Sequence, residues 1–196
     1  LVYTISSAYI GGVLAPDGSI HFISFVAPVG QKISSSGTVS TYSLVYTAVG
    51  AYFGGVLAPD GSIHFVPNSA PVGQKISSSG TVSTYSLVYT VANAYIGGVL
   101  APDGSIHFVP RSAAVGQKVD SSGTVSTYSL VYTVAGAYFG GVLAPDGSIH
   151  FVPTNAAVGQ KIDSSGTVST YSLVYTAAGA YYGGVLAPDG SIHFEL

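Results

Sequence analysis

At 196 residues the chain has the size of one domain or a small pair of domains. Only 7% of its residues are charged, against about 25% in an ordinary soluble domain, while 47% are hydrophobic and the formal net charge is −3. Five Lys and Arg are too few to displace counterions along a phosphate backbone, no apolar run reaches the roughly 18 residues of a membrane-spanning helix, and no Cys is present; nucleic acid, membrane, disulfides and thiolate metal sites are therefore not expected.

Leu1 is not a translation start and no signal peptide is visible, so the N-terminus is expected to be processed or trimmed. The compartment is not legible, with an extracellular location expected for a natural protein. From Gly11 to Phe22 the chain reads GGVLAPDGSIHF, and this phrase returns unchanged at Gly54, Gly97, Gly140 and Gly183. The PDG aspartates Asp17, Asp60, Asp103, Asp146 and Asp189 follow one another at a constant interval of 43 residues. A period in the forties fits a propeller blade or a pair of HEAT-type helices.

The unit from Ala51 to Asn93 decides between them. Tyr52 to Ala58 is a short apolar run, ended by the turn Pro59-Asp60-Gly61. Ser62 to Pro67 alternates, with Ile63 and Phe65 opposite His64 and Val66. A loop leads to Gly73–Ser77, the tight turn Ser78-Ser79-Gly80 follows, and Thr81 to Thr90 alternates again. These are strands bounded by turn residues, and no helical stripe with caps is present. Each unit is thus a four-stranded meander, which must bury its faces against copies of itself. The run with paired glycines is expected innermost, where neighbouring units crowd the axis.

The stretch LAPDGSIHFV is similar to the strand–PDG–strand hairpin of NHL-type propeller repeats, over about ten residues of each unit. That resemblance implies a propeller fold and no particular activity. The expected fold is an all-β, single-domain propeller over residues 1–196, with about 4.6 copies of a four-stranded antiparallel blade, most simply five-bladed with an incomplete closing blade. The missing part of the last unit corresponds to Thr154 to Ser172. The chain could instead be part of a longer one, or its bare strand edges could recruit a second copy by oligomerisation or strand exchange.

The five copies differ mainly in two loops, before the inner strand and after the second strand, which a meander places at the same end. That end is the expected ligand face, because scaffolds carry binding on loops. Its candidate residues are Asn68, Asn93, Asn155 and Arg111, with Tyr52, Tyr95, Tyr138 and Tyr181 as rings on which a glycan could stack. The repeated His21, His64, His107, His150 and His193 sit one strand out from the axis, too far apart to converge on a metal. The PDG aspartates are read as turn formers, and Asp120 and Asp163 as solvated strand-end charges. No G-x-S-x-G elbow occurs and Glu195 is the only Glu, so neither a nucleophilic triad nor a Glu pair is supported. With no catalytic residue, metal or cofactor assigned, the sequence points to a non-enzymatic propeller, an engineered or excised scaffold, with a lectin-like or protein-binding propeller as the alternative.

Overall fold

The structure is a computed structural model that describes residues 2–195. The first unit contributes β1 (Tyr9–Leu14), β2 (Ile20–Ser24), β3 (Val29–Ile33) and β4 (Val39–Ser43). The second contributes β5 (Tyr52–Leu57), β6 (Ile63–Pro67), β7 (Val72–Ile76) and β8 (Val82–Ser86). The third holds β9 (Tyr95–Leu100), β10 (Ile106–Pro110), β11 (Val115–Val119) and β12 (Val125–Ser129). The fourth holds β13 (Tyr138–Leu143), β14 (Ile149–Pro153), β15 (Val158–Ile162) and β16 (Val168–Ser172), and the fifth only β17 (Gly183–Leu186) and β18 (Ile192–Glu195). Each of the first four sheets is an antiparallel meander in chain order, as the alternation in sequence demands.

The first strand of every unit is the innermost: β5 packs on β1 and β9, and β13 on β9 and β17. The paired glycines make this approach possible. The register of β5 on β6 slips between Tyr52 and Gly55, a bulge that places Gly54 at φ +88°, in the left-handed region. A Cβ on Gly55 would stand 2.6 Å from Cδ1 of Ile23 in the preceding blade, too close to fit without a shift.

Between blades the core repeats. Val13, Ala15, Ile23, Tyr42 and Leu44 of the first blade cover Tyr52, Ile63, Phe65 and Ile76 of the second. The same residue types join the second blade to the third and the third to the fourth. Burying this apolar surface is worth about 25 cal/mol per Å² and is the main force holding blade to blade.

One element is shorter than the sequence suggests. The fourth strand, expected to run from Thr81 to Thr90, leaves its sheet after Ser86. The amides of Val88 and Tyr89 instead donate to Oε1 of Gln117 in the next blade, at 2.9 and 2.8 Å. Gln31, Gln74, Gln117 and Gln160 are all fully buried and receive the preceding linker in this way. The alternating tail therefore becomes a strap between blades.

Candidate active site

The two ends of the disc differ in what their loops do. At the end with the variable loops, the expected ligand residues are used to hold the strands and loops of the blades in place. The hydroxyls of Tyr52, Tyr95 and Tyr138 donate to the carbonyls of Val72, Val115 and Val158, and the three rings are buried. Tyr181 packs its ring on Phe194 and Tyr175. Asn68 is buried and donates from Nδ2 to the carbonyl of Tyr95. Asn155 donates to the Gly136 carbonyl and accepts from the Gly179 amide. Asn93 is exposed at φ +58°, and Arg111 is half-buried with its carbonyl accepting from Gly136. Tyr52, Tyr95 and Tyr138 thus offer no free ring face, which corrects their assignment as stacking platforms. Ring packing at a blade interface outweighed exposure because each ring closes a gap between two sheets.

The pockets that carry charged side chains lie at the other end, beside the tight turns. Between the third and fourth blades a pocket of about 430 Å³ is lined by Pro102, Asp103, His107 and Lys118 on one side and by Ile149, Ile162 and Asp163–Gly166 on the other. Equivalent pockets of about 340 and 370 Å³ lie between blades two and three and between blades one and two.

In the second, third and fourth blades a hydrogen-bonded chain runs beside the pocket from the PDG turn through the second strand to the fourth. In the third blade Asp103 Oδ1 accepts from the Ser105 amide at 2.9 Å and from Ser105 Oγ at 2.6 Å. Ser105 Oγ lies 3.0 Å from His107 Nε2, and His107 Nδ1 lies 3.3 Å from the hydroxyl of Tyr128. Only one arrangement uses every hydrogen. Ser105 donates to the carboxylate, so it must accept from Nε2–H, and Nδ1 then accepts from Tyr128. The imidazole is neutral. Burial lowers the pKa of His107 to about 4, and the nearby Lys118 cation adds to that shift. His64 behaves identically, with burial and Lys75 taking it to about 4.

Asp103, read from sequence as a turn former, is thus also joined to His107 through the intervening Ser105. Tyr128 reaches the imidazole because it lies over Gly116, where a Cβ would overlap the ring. Nothing in the sequence links a histidine to a tyrosine 21 residues later, although the interval repeats in four blades.

The carboxylates at the pocket are held ionised. The Ser105 hydroxyl, then its amide, lowers the pKa of Asp103. Asp163 is lowered first by the Ser165 hydroxyl and then by the Thr167 amide. Each uses Oδ1 for its turn: Asp163 Oδ1 accepts from the Ser165 amide, Ser165 Oγ and the Thr167 amide. Asp120 and Asp163, expected as solvated charges, instead cap turns at the mouths of two pockets. Among the described residues no cluster of three or more His, Cys, Asp or Glu side chains could hold a metal ion.

No family model and no curated protein matches this sequence. Solved structures do match. Virginiamycin B lyase from Staphylococcus aureus superposes with a TM-score of 0.83 at 19% identity, over 96% of this chain and 63% of that one. A catalytically inactive His-to-Ala variant of that enzyme, solved with quinupristin, gives 0.82 at 20% identity over 95% and 62%. A streptogramin B lyase gives 0.82 at 23% identity over 97% and 62%. This chain is a β-propeller. It spans about three-fifths of the length of these lyases, and at such identities the likeness establishes the fold alone. The expectation of a non-enzymatic scaffold or lectin-like module is contradicted, since lyases are among the propellers it superposes on. The absence of familiar sequence motifs was the ground for excluding catalysis, and a pocket lined by two blades, such as the one with Asp103 and Asp163, leaves no short motif in the sequence.

Proposed function

We propose that this chain is a lyase-type catalytic propeller that works in the pocket between its third and fourth blades. The observation that carries this is the meeting of Lys118, Asp103 and Asp163 in one pocket of about 430 Å³. Elimination needs a base to take a proton from a carbon next to an electron-withdrawing group, and a cation to stabilise charge developing on the substrate oxygen. Asp163 supplies the base, because its Oδ2 is not engaged by the turn it caps and it stands on the opposite wall from Lys118. Lys118 supplies the cation. His107 is not the base, since both ring nitrogens are committed to Ser105 and Tyr128; it holds the wall. The pocket between blades two and three carries the same set with Lys75 and Asp120, whereas the pocket between blades one and two has Ser77 at that corner.

The superposition on two lyases supports the choice of reaction class. The test is incubation with quinupristin and with simple cyclic esters, followed by mass spectrometry. Elimination within a ring opens it without a change of mass, whereas hydrolysis adds one water. Turnover without mass change, lost in the Lys75→Ala/Lys118→Ala and the Asp120→Asn/Asp163→Asn double variants, is the expected result. Hydrolysis, no turnover, or turnover unaffected by these changes overturns the assignment.

A further inference from the structure

The charges of this molecule are segregated by end. Four lysines and seven aspartates lie in or beside the tight turns and their pockets; Arg111 and Glu195 are the other two charged residues. The opposite end is crossed by the linkers, which run from each fourth strand over the next blade to its inner strand. Along them one position is occupied by Val2, Val45, Val88, Val131 and Val174, all exposed. Further along the same linkers Ile5, Val49, Val91 and Val134 are exposed as well. Leaving aside Val174, these side chains are 46% to 69% accessible. The linkers bond to the second-strand loops beside them, as Gly50 does to Phe25 and Ala94 to Asn68, so the two loop sets pave one surface. Near the axis the rings of Phe25, Phe53, Phe139 and Tyr182 meet edge to face at 5.3 to 5.9 Å.

A monomer rarely leaves apolar patches larger than a few hundred Å² uncovered. We propose that the linker end is a self-association face, seated against the same face of a second copy. The size of the chain suits this occupant: a stable dimer buries about 800 Å² per partner, roughly a tenth of a small protein's surface, and a tenth of the 8807 Å² accessible here is of that order. Its charge does too. With Arg111 as the one cation among these loops, the face lacks the basic cluster that draws a protein to an anionic lipid surface. A like face meets it without opposing charges, and the two-fold arrangement closes on itself. Both sets of charged pockets then point outward into water, so association leaves the proposed reaction site open and does not depend on it.

The test compares the wild-type chain with the triple variant Val45→Asp/Val88→Asp/Val131→Asp by light scattering and sedimentation across a dilution series. The three side chains are exposed, so far-UV circular dichroism should be unchanged, and the melting temperature should fall only as far as loss of the partner requires. The wild type is expected at the mass of two chains. The variant is expected to dissociate at least about a hundredfold more readily, because like charges opposed in an interface are strongly disfavoured. Lys32→Ser/Lys75→Ser, at the other end, should leave the dimer intact. A wild type that stays monomeric, a triple variant that dimerises as well as wild type, or a monomer that instead co-sediments with phosphatidylcholine vesicles each overturns the proposal.

Discussion

Acid should destabilise this propeller well above the range in which carboxylates titrate, and the buried histidines set the window. In the folded chain His64 and His107 have pKa values of about 4, against 6.5 for the free side chain. Between those limits the unfolded chain binds protons that the folded chain does not, so stability is complete above about pH 6.5 and falls as pH drops towards about 4. The gap corresponds to about 3 kcal/mol for each of the two residues, since one pKa unit is worth about 1.4 kcal/mol. His21 and His150 are shifted the same way by burial and add to the slope. The groups facing each imidazole are Ser62, Tyr85, Lys75 and, through the serine, Asp60 in the second blade, with their counterparts in the third. All seven aspartates are shifted down, so their contribution is lost only below about pH 4 and the two effects separate. Thermal melts from about pH 7.5 to about pH 4.5 should show a loss on the order of 5 kcal/mol, or a Tm lower by roughly 10–20 °C for a chain of this size. The His64→Gln/His107→Gln double variant should start less stable and respond much less to acid. A wild-type Tm that stays flat or rises over this range would refute the neutral, fully bonded imidazole.

Gln117→Leu should cost roughly 2–4 kcal/mol in a denaturant titration, because it leaves the amides of Val88 and Tyr89 without an acceptor. Gln31→Leu should cost less, since Gln31 Nε2 has no partner whereas Gln117 Nε2 also donates to Tyr89. Gly116→Ala must displace Tyr128 and should destabilise by about 1–3 kcal/mol, the usual range for overpacking, while raising the pKa of His107 as seen by NMR titration. In the turnover assay the Lys75→Ala/Lys118→Ala double variant should remove most activity, and Lys32→Ala little, because the first pocket lacks the second carboxylate.

The period, the meander and the inner hairpin were legible because they rest on local chemistry. PDG and SSG are turns whatever surrounds them, and Gly61 and Gly80 close those turns onto Ala58 and Ser77. The partners of buried polar groups were not legible. Gln117 stands at an alternating position like any surface glutamine, and only the passage of the preceding linker over it makes it a buried anchor. His107 and Tyr128 meet because β10 and β12 flank β11, where Gly116 leaves room for the ring. The one available signal was internal: the glutamine, the glycine and the tyrosine do not vary between complete copies, although the loops do. Variation marked the linker end as the place of function, yet the charged pockets opened beside the tight turns, where PDG is constant and the first residue of the second turn is Ser or Asp.

How a nearly uniform ring acquires distinct chemistry follows from one turn. At its first position the residue must accept a hydrogen bond from the amide four residues on. Ser77 does so with Oγ, at 3.0 Å from the Thr81 amide, and Asp120 with Oδ1, at 2.9 Å from the Thr124 amide. Either residue closes the turn, so exchanging Ser for Asp keeps the local bonding while placing a carboxylate at a pocket mouth. Blade packing is untouched, because the side chain does not enter the core. Symmetry constrains the letters that face neighbouring blades, and the turns at the pocket mouths are free to differ. Replacing Ser77 by Asp should therefore leave stability within about 0.5 kcal/mol, as for a surface change, and give the first pocket the same charges as the other two.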